Sequence, residues 1–178
     1  MYEDLMQAIR RWVMLATSLP GERVIPADDP GTRPPMPYIT VGFTTYDLEL
    51  GTDEQRLSVS EDDDLQVEVH GERQTSVSLN AYGRQGADLL ALCHISLSQP
   101  LAQRLLHKEC VTLRAATATQ DISALVDERI EKRFVKDFSA TYAIKSAAQT
   151  MPHVEEVKLD GELNSQTHTP LPITHEVE

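Results

Sequence analysis

From Arg133 to Lys145 the chain alternates with a period of two. Phe134, Phe138, Ala140, Tyr142 and Ile144 fall on one face, interrupted only by Lys136, and Arg133, Asp137, Ser139, Thr141 and Lys145 fall on the other. Successive side chains of a β-strand point to opposite faces, so this run predicts a strand with one face on a core. It is much longer than the common strand of about five or six residues. A strand of that length can extend beyond the core and pair with neighbours.

The rest of the chain supplies partners and a cover. Leu5, Ile9, Trp12, Val13 and Ala16 form one stripe at helical spacing, predicting an amphipathic helix over 3–17 that stops before Pro20-Gly21. Six prolines and two glycines lie between Ser18 and Pro37, which predicts an arm without regular structure, too long to be a mere connector. Tyr38 to Leu48 reads as a strand and is followed by a linker through Gly51 and Asp53-Glu54. Leu65, Val67 and Val69 alternate with polar residues, as do Val77, Leu79 and Ala81, with His70-Gly71-Glu72-Arg73 expected as the turn of a hairpin between them. Helices are expected over 84–98 and 100–107, the second opened by Pro100. A strand is expected over 110–116, a turn or short helix over 121–125, and a last strand over 154–159. The fold class is α+β: a mostly antiparallel sheet with helices packed on one face. One domain is expected over 1–163, with the proline-rich arm 18–37 and an acidic loop 51–64. A polar tail, 164–178, is expected to be flexible.

Charge narrows the function classes. The 178 residues hold 28 acids and 16 Lys and Arg, a net −12. Asp47 to Glu72 carries ten acids and one base, and Glu155 to Glu178 carries six and one. Such a chain is ill suited to holding nucleic acid through its phosphates, which takes clustered cations. It suits solubility, or a surface that repels DNA. No apolar run reaches the roughly 20 residues of a membrane span, and the first residues lack the pattern of a signal peptide. Two cysteines, Cys93 and Cys110, make no disulfide framework and fit a reducing compartment.

No motif carries catalysis. There is no Gly-x-Ser-x-Gly elbow and no Walker loop. Gly83-Arg84-Gln85-Gly86 opens a helix, either as a weak anion site or simply to turn strand into helix. Glu61-Asp62-Asp63-Asp64 lacks the alternating ligands and central glycine of a calcium loop, and reads as a solvated or partner-facing acidic surface. Cys93, His94, His107 and Cys110 suggest zinc, but Cys93 and His94 are adjacent on a helix and point about 100° apart. Paired zinc ligands are usually spaced by roughly two to four residues. Cys93 is expected as a small buried hydrophobe. The six histidines do not cluster in sequence with an acid and a nucleophile. No catalytic residue, metal or cofactor is expected.

In order and spacing the chain resembles the phage neck and tail-terminator family, from about residue 5 to 163. Four stretches carry the likeness: the N-terminal helix with Arg33-Pro34-Pro35-Met36-Pro37-Tyr38-Ile39-Thr40; Ser78-Leu79-Asn80-Ala81-Tyr82-Gly83-Arg84-Gln85-Gly86-Ala87; Asp121-Ile122-Ser123-Ala124-Leu125; and Glu131-Lys132-Arg133-Phe134 entering the long strand. The resemblance implies a non-enzymatic virion component assembled in the host cytoplasm. It forms a homomeric ring, usually six-fold, that caps the tail tube, ends its polymerisation and meets head-completion or adaptor proteins. Genomic DNA passes through without specific binding, and no membrane is involved. Interface residues are then expected at Arg33, Pro34, Pro35, Arg129, Glu131 and Arg133, and an acidic lumen or surface at Glu61, Asp62, Asp63 and Asp64. The alternatives are another head–tail joining protein, a tail tube protein, an unrelated binding module, or an enzyme.

Overall fold

The structure is a computed structural model and describes residues 2–59, 64–126 and 129–151. Its elements run α1 (Tyr2–Thr17), a 3-10 turn (Gly21–Arg23), β1 (Val24–Pro26), β2 (Tyr38–Glu49), β3 (Glu54–Val59), β4 (Leu65–Tyr82), α2 (Gly86–Ser96), α3 (Pro100–Lys108), β5 (Val111–Ala115), β6 (Gln120–Asp121), β7 (Ala124–Val126), β8 (Arg129–Glu131), β9 (Arg133–Lys145) and β10 (Gln149–Met151). The class is α+β, with a mostly antiparallel sheet.

The main sheet has the order β1-β2-β4-β9-β5, antiparallel throughout except for the β1–β2 pair. Register decides which residues share a face. Val41, Leu79 and Lys136 stand in one cross-strand row, and Phe43, Val77, Phe138 and Ala115 in the next. This face receives the three helices, and the core forms between them. The opposite face carries Thr40, Ser76, Ser78, Asn80, Ser139 and Thr141, so each strand alternates apolar-in and polar-out. Lys136, which breaks the apolar stripe of β9, is only 5% exposed. Its ammonium donates to the Thr117 carbonyl at 2.9 Å and lies 5.9 Å from the centre of the Phe138 ring. A charge so placed is tolerated because it is hydrogen-bonded.

Trp12 joins the layers. Its indole N–H donates to Ser96 Oγ at 2.9 Å, and Ser96 Oγ donates to the Cys93 carbonyl at 2.7 Å. The ring meets Phe138 edge-on at 5.2 Å. α1, α2 and β9 are thereby held around one fully buried residue, whose polar atom has the partner that burial demands.

The long alternating strand, the first helix, the helix pair and the strand after it stand as the sequence predicts. Several expectations are corrected. His70-Gly71-Glu72-Arg73 is not a turn: β4 runs unbroken through it, because these residues pair with Lys145, Ile144, Ala143 and Tyr142 of β9. The hairpin partner of β4 is instead the β2–β3 segment, which pairs along β4 from Tyr82 back to Leu65. The stretch expected as linker and acidic loop contains β3, and the arm 18–37 contains the 3-10 turn and β1. Residues 120–126 form β6 and β7 rather than a turn or short helix. β9 does not offer its edge to neighbours: β4 pairs along its whole length, and β5 and β6 cover much of the other side. The strand expected over 154–159 and the tail 164–178 lie outside the described residues.

Gly86 begins α2 where the helix lies flat on the sheet. A Cβ there would stand 2.6 Å from the Phe134 ring and 2.8 Å from the Ala81 carbonyl oxygen, which is backbone and cannot swing away. Gly86→Ala is therefore expected to lower the unfolding free energy by about 1–3 kcal/mol. Gly21→Ala, whose Cβ meets only Met14 Sδ at ordinary contact, is expected to stay within about 1 kcal/mol. Urea denaturation of the two variants measures the contrast.

Candidate assembly surface

Two protrusions leave the sheet at opposite ends of β4. At its C-terminal end the proline arm meets the two-stranded hairpin β7–β8. Arg33 reaches Glu131 of β8 at 3.4 Å and lies 5.9 Å from the centre of the Tyr82 ring. Tyr82 stacks on Tyr38 at 4.5 Å, and Arg133 lies 5.3 Å from the Tyr82 ring centre. Arg133 also donates to Asn80 Oδ1 through Nη2 at 2.9 Å. Burial pushes the Tyr38 hydroxyl above its usual pKa, and Arg33 opposes that shift. Arginine stacked over a tyrosine pair fixes the arm against the sheet. The Met36-Pro37 peptide bond is cis, and beside it Gly83 adopts φ 104°, a conformation that side-chain-bearing residues rarely take. Gly83 thus serves to turn strand into helix.

Among the described residues nothing covers Leu125 and Ile130 of the β7–β8 hairpin. Leu125 and Ile130 lie directly opposite in register and are 72% and 69% exposed. A two-stranded hairpin is only marginally stable by itself. Two large aliphatic side chains left in water on such a hairpin mark a contact surface.

At the other end, β3, the first third of β4 and β10 form a three-stranded finger that continues the sheet beyond the helices. Six residues of strand project it by about 20 Å. Its base is clamped by Arg73. The guanidinium binds both oxygens of Asp53, at 2.7 and 2.8 Å, and Nε approaches Asp47 at 3.2 Å. Asp47 (φ 53°) lies where the β2–β4 register shifts, and residues 50–53 separate β2 from β3. One arginine therefore holds both irregularities that redirect the strand. Gly71 lies beneath this clamp, where a Cβ would collide with Asp53 and Arg73.

Cys93 is buried in the core, and burial pushes its thiol up to about 12. That is the inert hydrophobe expected. His107 and Cys110 instead line a groove of about 540 Å³ between α3 and β5. Among the described residues no group of histidines, cysteines and acids could hold a metal, and no helix is long and apolar enough to cross a membrane.

Of the residues singled out in the sequence, Arg33, Glu131 and Arg133 are brought together around Tyr82. Pro34 is half-buried and Pro35 exposed beside them, and Arg129 opens β8. Glu61, Asp62 and Asp63 lie outside the described residues; Asp64 is exposed just before β4. Sequence reasoning missed Leu125 and Ile130, since a three-residue strand shows no period. It also missed the Arg73 clamp, which depends on residues 20 and 26 positions apart. The alternation of Leu57 and Val59 with Arg56 and Ser58 was the available signal for β3.

The described residues thus form an α+β body with a protrusion at each end of its longest strand, one of them exposing Leu125 and Ile130. The profile of the phage neck terminator protein family matches residues 3–166, and the chain belongs to that family. It is a structural family of the phage neck, not an enzyme family, and it assigns the chain a structural role in the phage tail and neck. A search of curated proteins finds no match.

Two predictions follow from the contacts. Arg133→Ala is expected to cost about 1–3 kcal/mol, because Asn80 and Tyr82 lose their partner. Arg33→Ala, at a largely exposed side chain, is expected to change stability by no more than about 0.5 kcal/mol. Urea titrations compare them, and Arg33 is the cleaner probe of assembly. Arg73 holds the Asp53 carboxyl below its ordinary value of 3.8. The clamp's contribution is therefore fully present above that value and is lost as pH falls through the lowered pKa. Carboxyl NMR titration should find Asp53 depressed, and Arg73→Gln should return it toward 3.8.

Proposed function

We propose that this chain forms a closed homomeric ring, six-fold as the family resemblance implies, that caps the phage tail tube at the neck. The ring ends tube polymerisation and presents its other side to head-completion proteins. The observation that carries this reading is the pair of protrusions at opposite ends of one strand, exposed among the described residues. A contact that uses different patches on the two partners propagates, and closes into a ring when its rotation divides the circle. The exposed Leu125–Ile130 pair, with the Arg33–Glu131 contact beside it, provides a surface for neighbouring chains or tube. The role is structural rather than enzymatic. With a net charge of −12 the ring does not grip the DNA that passes through it.

The test is imaging of tails from phage carrying the gene, lacking it, or carrying Leu125→Asp with Ile130→Asp. The expected results are one ring at the head-proximal end with the intact gene, and overgrown tails that fail to join heads without it. The double variant should fold yet reproduce the defect. Normal-length tails joined to heads in the absence of the protein would refute the proposal, and distribution along the tube would make it a tube subunit.

A further inference from the structure

We infer that neighbouring copies join edge to edge, with β3 of one chain adding to the free edge of β5 in the next; this rests on the ring reading above. Among the described residues β5 is the last strand of the main sheet and pairs only with β9. The groove between α3 and β5 runs beside that edge, with Leu97, Leu106, Val111 and Leu113 as its apolar part and Gln103, His107, Cys110 and Thr112 as its polar part. An exposed strand edge next to a partly apolar groove accepts an added strand: backbone groups pair, and alternate side chains fill the groove.

β3 has the properties of the added strand. Among the described residues it pairs only with β4, and all six of its residues are exposed. Leu57 and Val59, 66% and 63% exposed, alternate onto one face. The two edges match in length, six residues against five. They cannot meet within one chain, because β4 and β9 stand between them in an open sheet.

Charge selects the pairing. The segment 47–72, which contains the finger's hairpin, holds ten acids and one base. The segment 97–118, which contains α3 and β5, holds Arg104, Lys108 and Arg114 against one acid, Glu109, and that acid is already bound by Arg11 at 2.7 Å. β3 itself balances Glu54 against Arg56, and Arg73 binds Asp47 and Asp53, but the segment around β3 stays acidic on balance and the segment around β5 basic. A contact of unlike edges brings segments of opposite net charge together, whereas a β3–β3 or β5–β5 contact brings like ones together. The contact of unlike edges is heterologous, the kind that generates rings.

The experiment is disulfide trapping in assembled particles, in a Cys110→Ser background. Arg56 or Ser58 of β3 and Thr112 or Arg114 of β5 are changed to cysteine in the four possible pairs. With Leu57 and Val59 turned into the groove, these are the positions left facing the other side of the joined sheet. The expected result is a ladder of cross-linked multimers up to ring size on non-reducing gels for at least one pair. No dimer should form with any single cysteine. Arg104→Glu with Arg114→Glu, tested with the Ser58–Thr112 pair, should abolish the ladder while the isolated chain keeps its fold. Rings visible at the neck with no ladder from any pair would overturn this contact and leave the ring reading standing. Dimers from Ser58→Cys alone would show β3 pairing with itself and would also overturn it. Absence of any ring at the neck would overturn the ring reading, and this contact with it.

Discussion

The ladder between β4 and β9 is the constraint on which the rest of the molecule depends. Thirteen consecutive residues of each strand, from His70 opposite Lys145 to Tyr82 opposite Arg133, pair without a register shift. A slip of one residue would send Phe138, Ala140 and Tyr142 to the polar face and Ser139 and Thr141 into the core, so the hydrophobic pattern itself holds the register. With that ladder set, Val77 and Leu79 align with Phe138 and Lys136, the helices have a single apolar face to cover, and Trp12 finds both its ring partner and its hydrogen-bond acceptor. The same ladder places the β7–β8 hairpin at one end and the finger at the other.

β4 belongs to two environments. From Arg73 to Tyr82 it lies between β2 and β9 inside the body, while β3 flanks it from Leu65 to His70 and β10 from Leu65 to Val67, both with exposed residues. The transition falls at Gly71 and Arg73. Arg73 comes from the core-facing row of β4 yet is bound by two carboxylates at the sheet's end, which satisfies its charge. A buried guanidinium needs such partners. The lost side chain at Gly71 makes room for them.

What was legible in the sequence follows from this arrangement. β9 and α1 show clean periods because each has one buried face, so the strand and helix stand where alternation put them. The supposed turn at His70–Arg73 misled for a physical reason. Glycine next to charged residues is the usual composition of a turn, but here the glycine accommodates a salt bridge lying across an extended strand. β3 was read as linker because acids flank it and no core covers either of its faces, and pattern reasoning depends on burial on one side. The proline arm showed that it is no simple connector but not what it touches: the meeting of Arg33, Glu131 and Tyr82 joins residues 49 and 98 positions apart, and only the fold supplies that. Chemistry was judged correctly at Cys93, whose helical neighbours are apolar.

The division of β4 also separates folding from assembly. Local opening is governed by buried apolar contacts, and the described finger residues have few of them, whereas the body buries Trp12, Phe138, Leu79 and Val77 completely. The body can therefore reach its native state with the finger contributing little to its stability. Changes at Leu57 or Val59 then act on contacts with other chains more than on the fold, while changes at Arg133 or Gly86 act on the fold first. A chain that must stay soluble alone and join others only in place gains from this split.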